Sequence, residues 1–206
     1  MKKLLVFDMD GTLIDSDKSI IRCLKQVGSD FGYDVKYVSE NIGVKKLEEI
    51  LAMNSIPEGT INEILEKYRE CYLNQFKLDT VPMEGAYKTL KELNRGNVLG
   101  ILTFKNSFLT RQILNHFFEG ITFQFIVGGN DNISSKAEGL KRIISESGIP
   151  FSQSYYIGDR STDMKAAMEC GINGIWIKFG LGEKDEFNFP FKYRTAHSFE
   201  EIPSLL

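Results

Sequence analysis

Apolar positions along this chain fall into two alternating rhythms. Short continuous runs rich in β-branched and aromatic residues recur at Leu4–Phe7, Val98–Leu102, Phe123–Val127, Ser154–Ile157 and Gly174–Ile177. Runs of that kind, without polar alternation, suit strands covered on both faces. Between the later runs the spacing changes to i, i+3, i+4 and i+8, which predicts helices. Ala86–Leu93 carries Ala86, Leu90 and Leu93 on one face, Phe108–Phe118 carries Leu109, Ile113 and Phe117, and Ala137–Ser147 carries Leu140, Ile143 and Ile144. Gly148-Ile149-Pro150 stops the last of these. Strands alternating with helices predict an α/β fold with a Rossmann-like parallel sheet at its core.

The first strand breaks the rhythm, because about 90 residues separate Asp8 from the next strand candidate and they read as helices only. Ser16–Val27 places Ile20, Ile21, Leu24 and Val27 on one face, and Leu47, Ile50 and Leu51 mark a second helix. A third runs from Thr60 to Leu73 through Ile61, Ile64, Leu65, Tyr68 and Tyr72. A plain strand–helix–strand crossover does not need three helices. Residues 16–80 are therefore expected to form an inserted α-helical domain, with 1–15 and 81–206 forming the α/β core.

Composition narrows the classes without choosing among them. The 206 residues are 42% hydrophobic and 26% charged, ordinary for a globular protein. A net charge of -3 with no long Lys/Arg run argues against a nucleic-acid partner. Lys2-Lys3 before Leu4–Phe7 resembles a secretion signal, but four apolar residues ending at Asp8 are too few. No stretch approaches the ~20 apolar residues of a membrane span. Cys23, Cys71 and Cys170 are odd in number and lack metal-ligand spacing, which predicts reduced thiols in a cytoplasmic protein.

The chemistry concentrates at strand ends. Asp8-Met9-Asp10-Gly11-Thr12-Leu13 follows the first apolar run, where ligands gather in open parallel sheets. Two acids closing a buried strand repel each other and lose solvation, so they call for a cation, and Mg²⁺ prefers carboxylate and carbonyl oxygens. Gly11 permits a sharp turn that leaves amides free for an anion. An Asp-x-Asp alone reads more simply as a solvated strand end, but three later strand ends join it. They are Leu102-Thr103, Ser134-Ser135-Lys136 at a helix start, and Gly158-Asp159-Arg160-Ser161-Thr162-Asp163. Acid, hydroxyl, lysine and acid at four consecutive strand ends are expected to form a phosphate-and-cation site.

These residues resemble the haloacid dehalogenase superfamily, in particular its phosphoglycolate phosphatase-like members with an α-helical cap after the first strand. Asp8–Ser16 is similar to the first family motif, Thr103 to the second, Lys136 to the third and Gly158-Asp159 through Asp163 to the fourth. Pro82…Gly85, Gly128-Gly129-Asn130-Asp131 and Ala166-Ala167…Cys170-Gly171 agree with it as lesser landmarks. The resemblance implies that Asp8 takes the phosphoryl group covalently and that Asp10 serves as general acid and base. It implies Mg²⁺ on Asp8, the Asp10 carbonyl, Asp159 and Asp163, and phosphoryl oxygens on Thr103, the amide of Phe104 and Lys136. An acid at position 10 points to a phosphatase or phosphomutase, and the absence of histidine in Ser16–Val27 weakens the mutase reading. The same motifs would also suit a pyrophosphatase, or a non-catalytic binding protein with a relic site. Phe104 stands where asparagine is common and Ala137 where proline is common, which leaves Lys105 or Asn106 to supply a lost substrate contact.

The expected partner is a small phosphorylated metabolite under a closing lid. Asn41–Lys46 lies where relatives place a specificity loop, and Lys45 or Lys46 could meet a carboxylate or second phosphate, against the simpler reading of a solvated pair. His116 and His197 have no triad partners, and Phe187–Phe191 reads as packing of a C-terminal loop. Glu183–Glu186 reads as a solvated loop.

Overall fold

The computed structural model describes residues 2–182 and 185–206, so Glu183 and Lys184 of the expected solvated loop lie outside the described residues. Strand β1 (Leu4–Phe7) is buried at every position. It is flanked by β4 (Val98–Leu102) on one side and β6 (Ser154–Gly158) on the other, both parallel to it. Outside these lie β5 (Phe123–Val127) beyond β4, then β7 (Asn173–Ile177) and β8 (Arg194–Ala196) beyond β6. The sheet therefore reads β5-β4-β1-β6-β7-β8, all parallel, and the winding reverses at β1. A crevice at the carboxyl end of a strand where the winding reverses is the natural ligand site of such a sheet. Leu4 pairs with both Val98 and Ser154, so Phe7 ends level with Ile101 and Ile157. That register delivers Asp8, Thr103 and Asp159 to one edge.

The expected α/β elements are all present, with small shifts at their ends. Helices α4 (Ala86–Leu93), α5 (Ser107–Phe117), α6 (Lys136–Ser147) and α7 (Ser161–Cys170) connect the strands. Both α6 and α7 end on a left-handed glycine, Gly148 and Gly171, where a side chain would be strained. Strand β8 was not expected, because Arg194-Thr195-Ala196 is short and too polar to mark itself. Phe187 packs edge-on to Trp176 of β7, with ring centroids 6.2 Å apart, so the aromatic run does fold back on the sheet.

Between the first strand and β4 the chain forms three helices, α1 (Asp17–Asp30), α2 (Leu47–Met53) and α3 (Glu58–Asp79). Two short strands, β2 (Ile14–Asp15) and β3 (Val81–Pro82), pair antiparallel where this segment leaves and rejoins the core. Helix α3 runs past Leu73 because its apolar stripe continues to buried Phe76. Ile20, Leu24 and Val27 of α1 and Ile64, Leu65 and Tyr68 of α3 are buried in one hydrophobic cluster. Removing such side chains from water contributes ~1.5–3 kcal/mol each.

The expectation of reduced thiols is overturned here. Cys23 and Cys71 face each other across α1 and α3 with Cα atoms 5.8 Å apart, and form a disulfide. The partners are 48 residues apart, so only the helix packing brings them together. Cys170 is free and buried, its thiol donating to the Ala137 carbonyl at 3.3 Å. Among the described residues no helix is long and apolar enough to cross a membrane.

Candidate active site

Asp8 leaves β1 with its amide donating to the Ile157 carbonyl at 2.9 Å, so its carboxylate emerges between β4 and β6. It is buried together with Asp159 and Asp163, and one oxygen from each of the three lies within 4.8 Å of the others. Lys136, the first residue of α6, places its ammonium 3.1 Å from Asp8 Oδ2 and 2.6 Å from Asp163 Oδ1. Helix α6 is capped by the Ser135 hydroxyl, which accepts from Glu138 N and fixes where Lys136 begins. Asp163 is further held by Arg160 N, which donates to its Oδ2 at 2.9 Å.

One ammonium against three buried carboxylates is an unbalanced site. Burial raises the Asp8 carboxyl well above its usual range; Lys136 pulls it back, while Asp163, Asp159 and Asp10 push it further. Burial, then Asp163, pushes Asp159 up to about 7 against the pull of Thr12 and Lys136. Lys136 is lowered by burial and raised more by Asp163 and Asp8, so it stays charged. Asp8 Oδ2 is buried without a hydrogen bond of acceptable geometry, despite its nearness to Lys136. A bare buried acceptor beside two further hard oxygen donors fits a divalent cation, which would supply the missing positive charge.

Asp10 turns away from this cluster. Its Oδ1 accepts from the Ser16 hydroxyl and lies 3.0 Å from the Lys105 ammonium. It is therefore the backbone of Asp10, and not its carboxylate, that the cluster could use. Asp10 lines a cavity of about 60 Å³ shared with Thr103, Phe104, Lys45, Tyr68 and Arg69. The Thr103 hydroxyl accepts from Lys105 N at 3.1 Å, leaving its proton for an anion. The Phe104 ring lies with its centroid 5.5 Å from the Lys136 ammonium.

The four contacts assigned to substrate divide. Lys45 reaches the cavity from just before α2, with Glu49 of that helix 3.9 Å away. Lys46 does not, because its ammonium donates to the Ile133 carbonyl of the core at 2.6 Å. Lys105 lines the cavity, but its charge is taken by Asp10 and by the Tyr72 ring, 4.3 Å to the centroid. Burial lowers the Lys105 ammonium, and Asp10, Tyr72 and Tyr68 together raise it further than that. Asn106 also borders the cavity, while its side-chain oxygen caps α5 through Phe108 N and Leu109 N.

Several site residues went unnoticed in the sequence. The Thr12 hydroxyl donates to Asp159 Oδ1 at 2.9 Å and Gly182 N donates to Asp159 Oδ2 at 3.1 Å. A Cβ on Gly180 would lie 2.2 Å from the Gly11 carbonyl oxygen, so the loop after β7 closes against the first motif only without side chains. The Gly180-x-Gly182 spacing after a strand is the signal that could have marked this approach. Arg160 reaches the other way, its guanidinium donating to the Glu40 carbonyl at 2.9 Å. Arg69 and Tyr68 had no signal beyond their place on an apolar helix.

Comparison with known proteins agrees with this geometry. A profile of the haloacid dehalogenase-like hydrolases matches residues 5–177. A phosphoglycolate phosphatase of Pseudomonas fluorescens Pf0-1 is 28% identical over 193 residues, covering 87% of this chain and 71% of the relative. A 5'-nucleotidase of Pseudomonas aeruginosa PAO1 is 26% identical over 188 residues, covering 88% and 85%. A solved haloacid dehalogenase-like hydrolase of Streptococcus pneumoniae superposes with a TM-score of 0.83 at 25% identity, covering 98% of this chain and 97% of the other. CbbY of Rhodobacter sphaeroides, solved in complex with phosphate, gives 0.83 at 19% identity, covering 98% and 96%. With the family motifs gathered at one sheet edge and most of its length matched, the chain belongs to the haloacid dehalogenase-like hydrolases, and within them it is a phosphatase.

Proposed function

We propose that this protein is a Mg²⁺-dependent phosphatase of a small phosphate monoester, acting through an aspartyl-phosphate on Asp8. The observation that carries the reading is the buried Asp8 carboxylate, set against Asp159, Asp163 and Lys136, while Asp10 two residues on lines a cavity. Asp8 attacks phosphorus and the ester oxygen leaves, splitting one difficult displacement into two easier ones. Asp10 gives its proton to the departing alkoxide, then takes one from the water that hydrolyses the intermediate. Lys136, Thr103 and the amide of Phe104 hold the phosphoryl oxygens, and positioning with charge stabilisation is most of what this transfer requires. Asp8, the Asp10 carbonyl, Asp159 and Asp163 would hold Mg²⁺, which when bound neutralises charge between two anions and lets them meet.

Residues 16–80 act as a cap domain over the core of 1–15 and 81–206, excluding water during transfer. The cavity of about 60 Å³ suits a small leaving group, since one water occupies ~10–15 Å³ by the same measure. Lys45 and Arg69 at its wall suit a carboxylate, which makes phosphoglycolate the first ester to test. Phosphate release is measured from phosphoglycolate, sugar phosphates, nucleotides and pyrophosphate, with Mg²⁺ and with chelator. Release that needs Mg²⁺ and disappears in Asp8→Asn is expected, and release that survives Asp8→Asn overturns the reading.

A further inference from the structure

Asp10 is held by one oxygen only. Oδ1 accepts from the Ser16 hydroxyl and contacts the Lys105 ammonium at 3.0 Å. Oδ2 forms no hydrogen bond among the described residues, and Asp10 opens on the cavity. Lys105 is itself buried, with its ammonium against the Tyr72 ring of α3. Ser16 stands immediately before α1, and Cys23–Cys71 ties α1 to α3. Both groups that grip Oδ1 are thus fixed by the helical segment, one by chain continuity and one by its aromatic support.

A buried ion pair is a poor device for stability, because desolvating two charges offsets most of their attraction. Its use here is orientation. We propose that Lys105, together with Ser16, is a positioning residue that pins Oδ1 of Asp10 and so directs Oδ2 at the leaving oxygen of the ester. This rests on the reading of Asp10 as general acid and base. With Oδ1 occupied by two donors, the transferable proton sits on Oδ2. As the ester O–P bond breaks and Asp8 bonds to phosphorus, that proton passes to the leaving oxygen and gives the alcohol. Asp10 is left as a carboxylate, and it regains a proton from the water that cleaves the aspartyl-phosphate. Lys105 keeps its own proton throughout.

An acid is needed where the leaving group is a basic alkoxide and hardly at all where it is a stabilised phenolate. The test compares kcat/KM for phosphoglycolate and for 4-nitrophenyl phosphate in wild type, Lys105→Met, Ser16→Ala and Asp10→Asn. General acid catalysis is worth ~100–10,000-fold, so partial misdirection in Lys105→Met is expected to cost roughly 10–100-fold with phosphoglycolate and under about threefold with the nitrophenyl ester. Ser16→Ala should show the same selectivity at smaller size, and it carries the test alone if Lys105→Met does not fold. Equal losses on both esters in the Lys105 and Ser16 variants, with Asp10→Asn still selective, overturn the positioning role and leave the acid reading intact. If Asp10→Asn also loses both equally, the acid reading has failed and this proposal with it.

Discussion

Strand β6 ends at Gly158, where even one methyl group has no room. A Cβ there would lie 2.4 Å from Asp163 Cγ and Oδ2, whereas ordinary contact begins at 3.4 Å, so the Asp163 side chain must retreat by about 1 Å. It has nowhere to go, being held by Lys136 Nζ at 2.6 Å and by Arg160 N at 2.9 Å. Overpacking of this kind, or loss of one such charged hydrogen bond, costs ~1–3 kcal/mol. At ~2–4 °C per kcal/mol for a chain of this size, Gly158→Ala should melt about 2–12 °C lower. A displacement of ~1 Å in a reacting constellation can cost ~100-fold, so phosphate release should fall roughly 10–100-fold. Thermal melting and phosphate release read the two effects, with Gly96→Ala as control because nothing lies within 4 Å of a Cβ at that position. A Gly158→Ala variant melting within about 1 °C of wild type and turning over within about twofold refutes the packing argument.

The Cys23–Cys71 bond closes a loop of 48 residues, worth about 4 kcal/mol by loop-closure entropy, so reductant should lower the melting temperature by about 8–16 °C. The double variant Cys23→Ser/Cys71→Ser should be indifferent to reductant, and a wild type equally indifferent would show that the bond does not form. Mg²⁺ at ~100 times its Kd should add ~2.7 kcal/mol to stability; chelator should reverse this and Asp163→Asn should blunt it, all read by melting. Asp17 is pushed up to about 6 by burial first and then by Asp10 and Asp15. Its folded form therefore favours the proton, and the stability it contributes is complete below its ordinary 3.8 and lost as pH rises through about 6. Urea unfolding at pH 4 and pH 7 should show a smaller fall for Asp17→Asn than for wild type, and an equal fall counts against the assignment.

Much of the site was legible because its residues are short-range consequences of strand ends. Asp8, Thr103 and Asp159 each close a buried apolar run, and parallel pairing in register must bring such ends together. Lys136 was legible for a related reason, since Ser135 before it marks the start of a helix. Sequence places Lys46 beside Lys45 but does not reveal where its ammonium ends, on a core carbonyl. Nothing in Thr103-Phe104-Lys105-Asn106 reveals that the Lys105 ammonium lies against Asp10. The cysteines were misjudged on parity, which is blind to a pair 48 residues apart and a third thiol left over.

The sequence by itself determined the α/β alternation, the helical interruption after β1 and the chemical identity of the cluster. Those features are written in local hydrophobic period and in residue type, and neither needs a distant partner. Tertiary structure alone decided that Oδ1 of Asp10 is gripped by Ser16 and Lys105, that Gly180 and Gly182 press on Asp159, and that α1 is bonded to α3. Each of these joins segments far apart in the chain, through contacts a few ångströms long that follow from how helices and loops pack. Side-chain period says which face of an element is buried, and only packing says what that face meets.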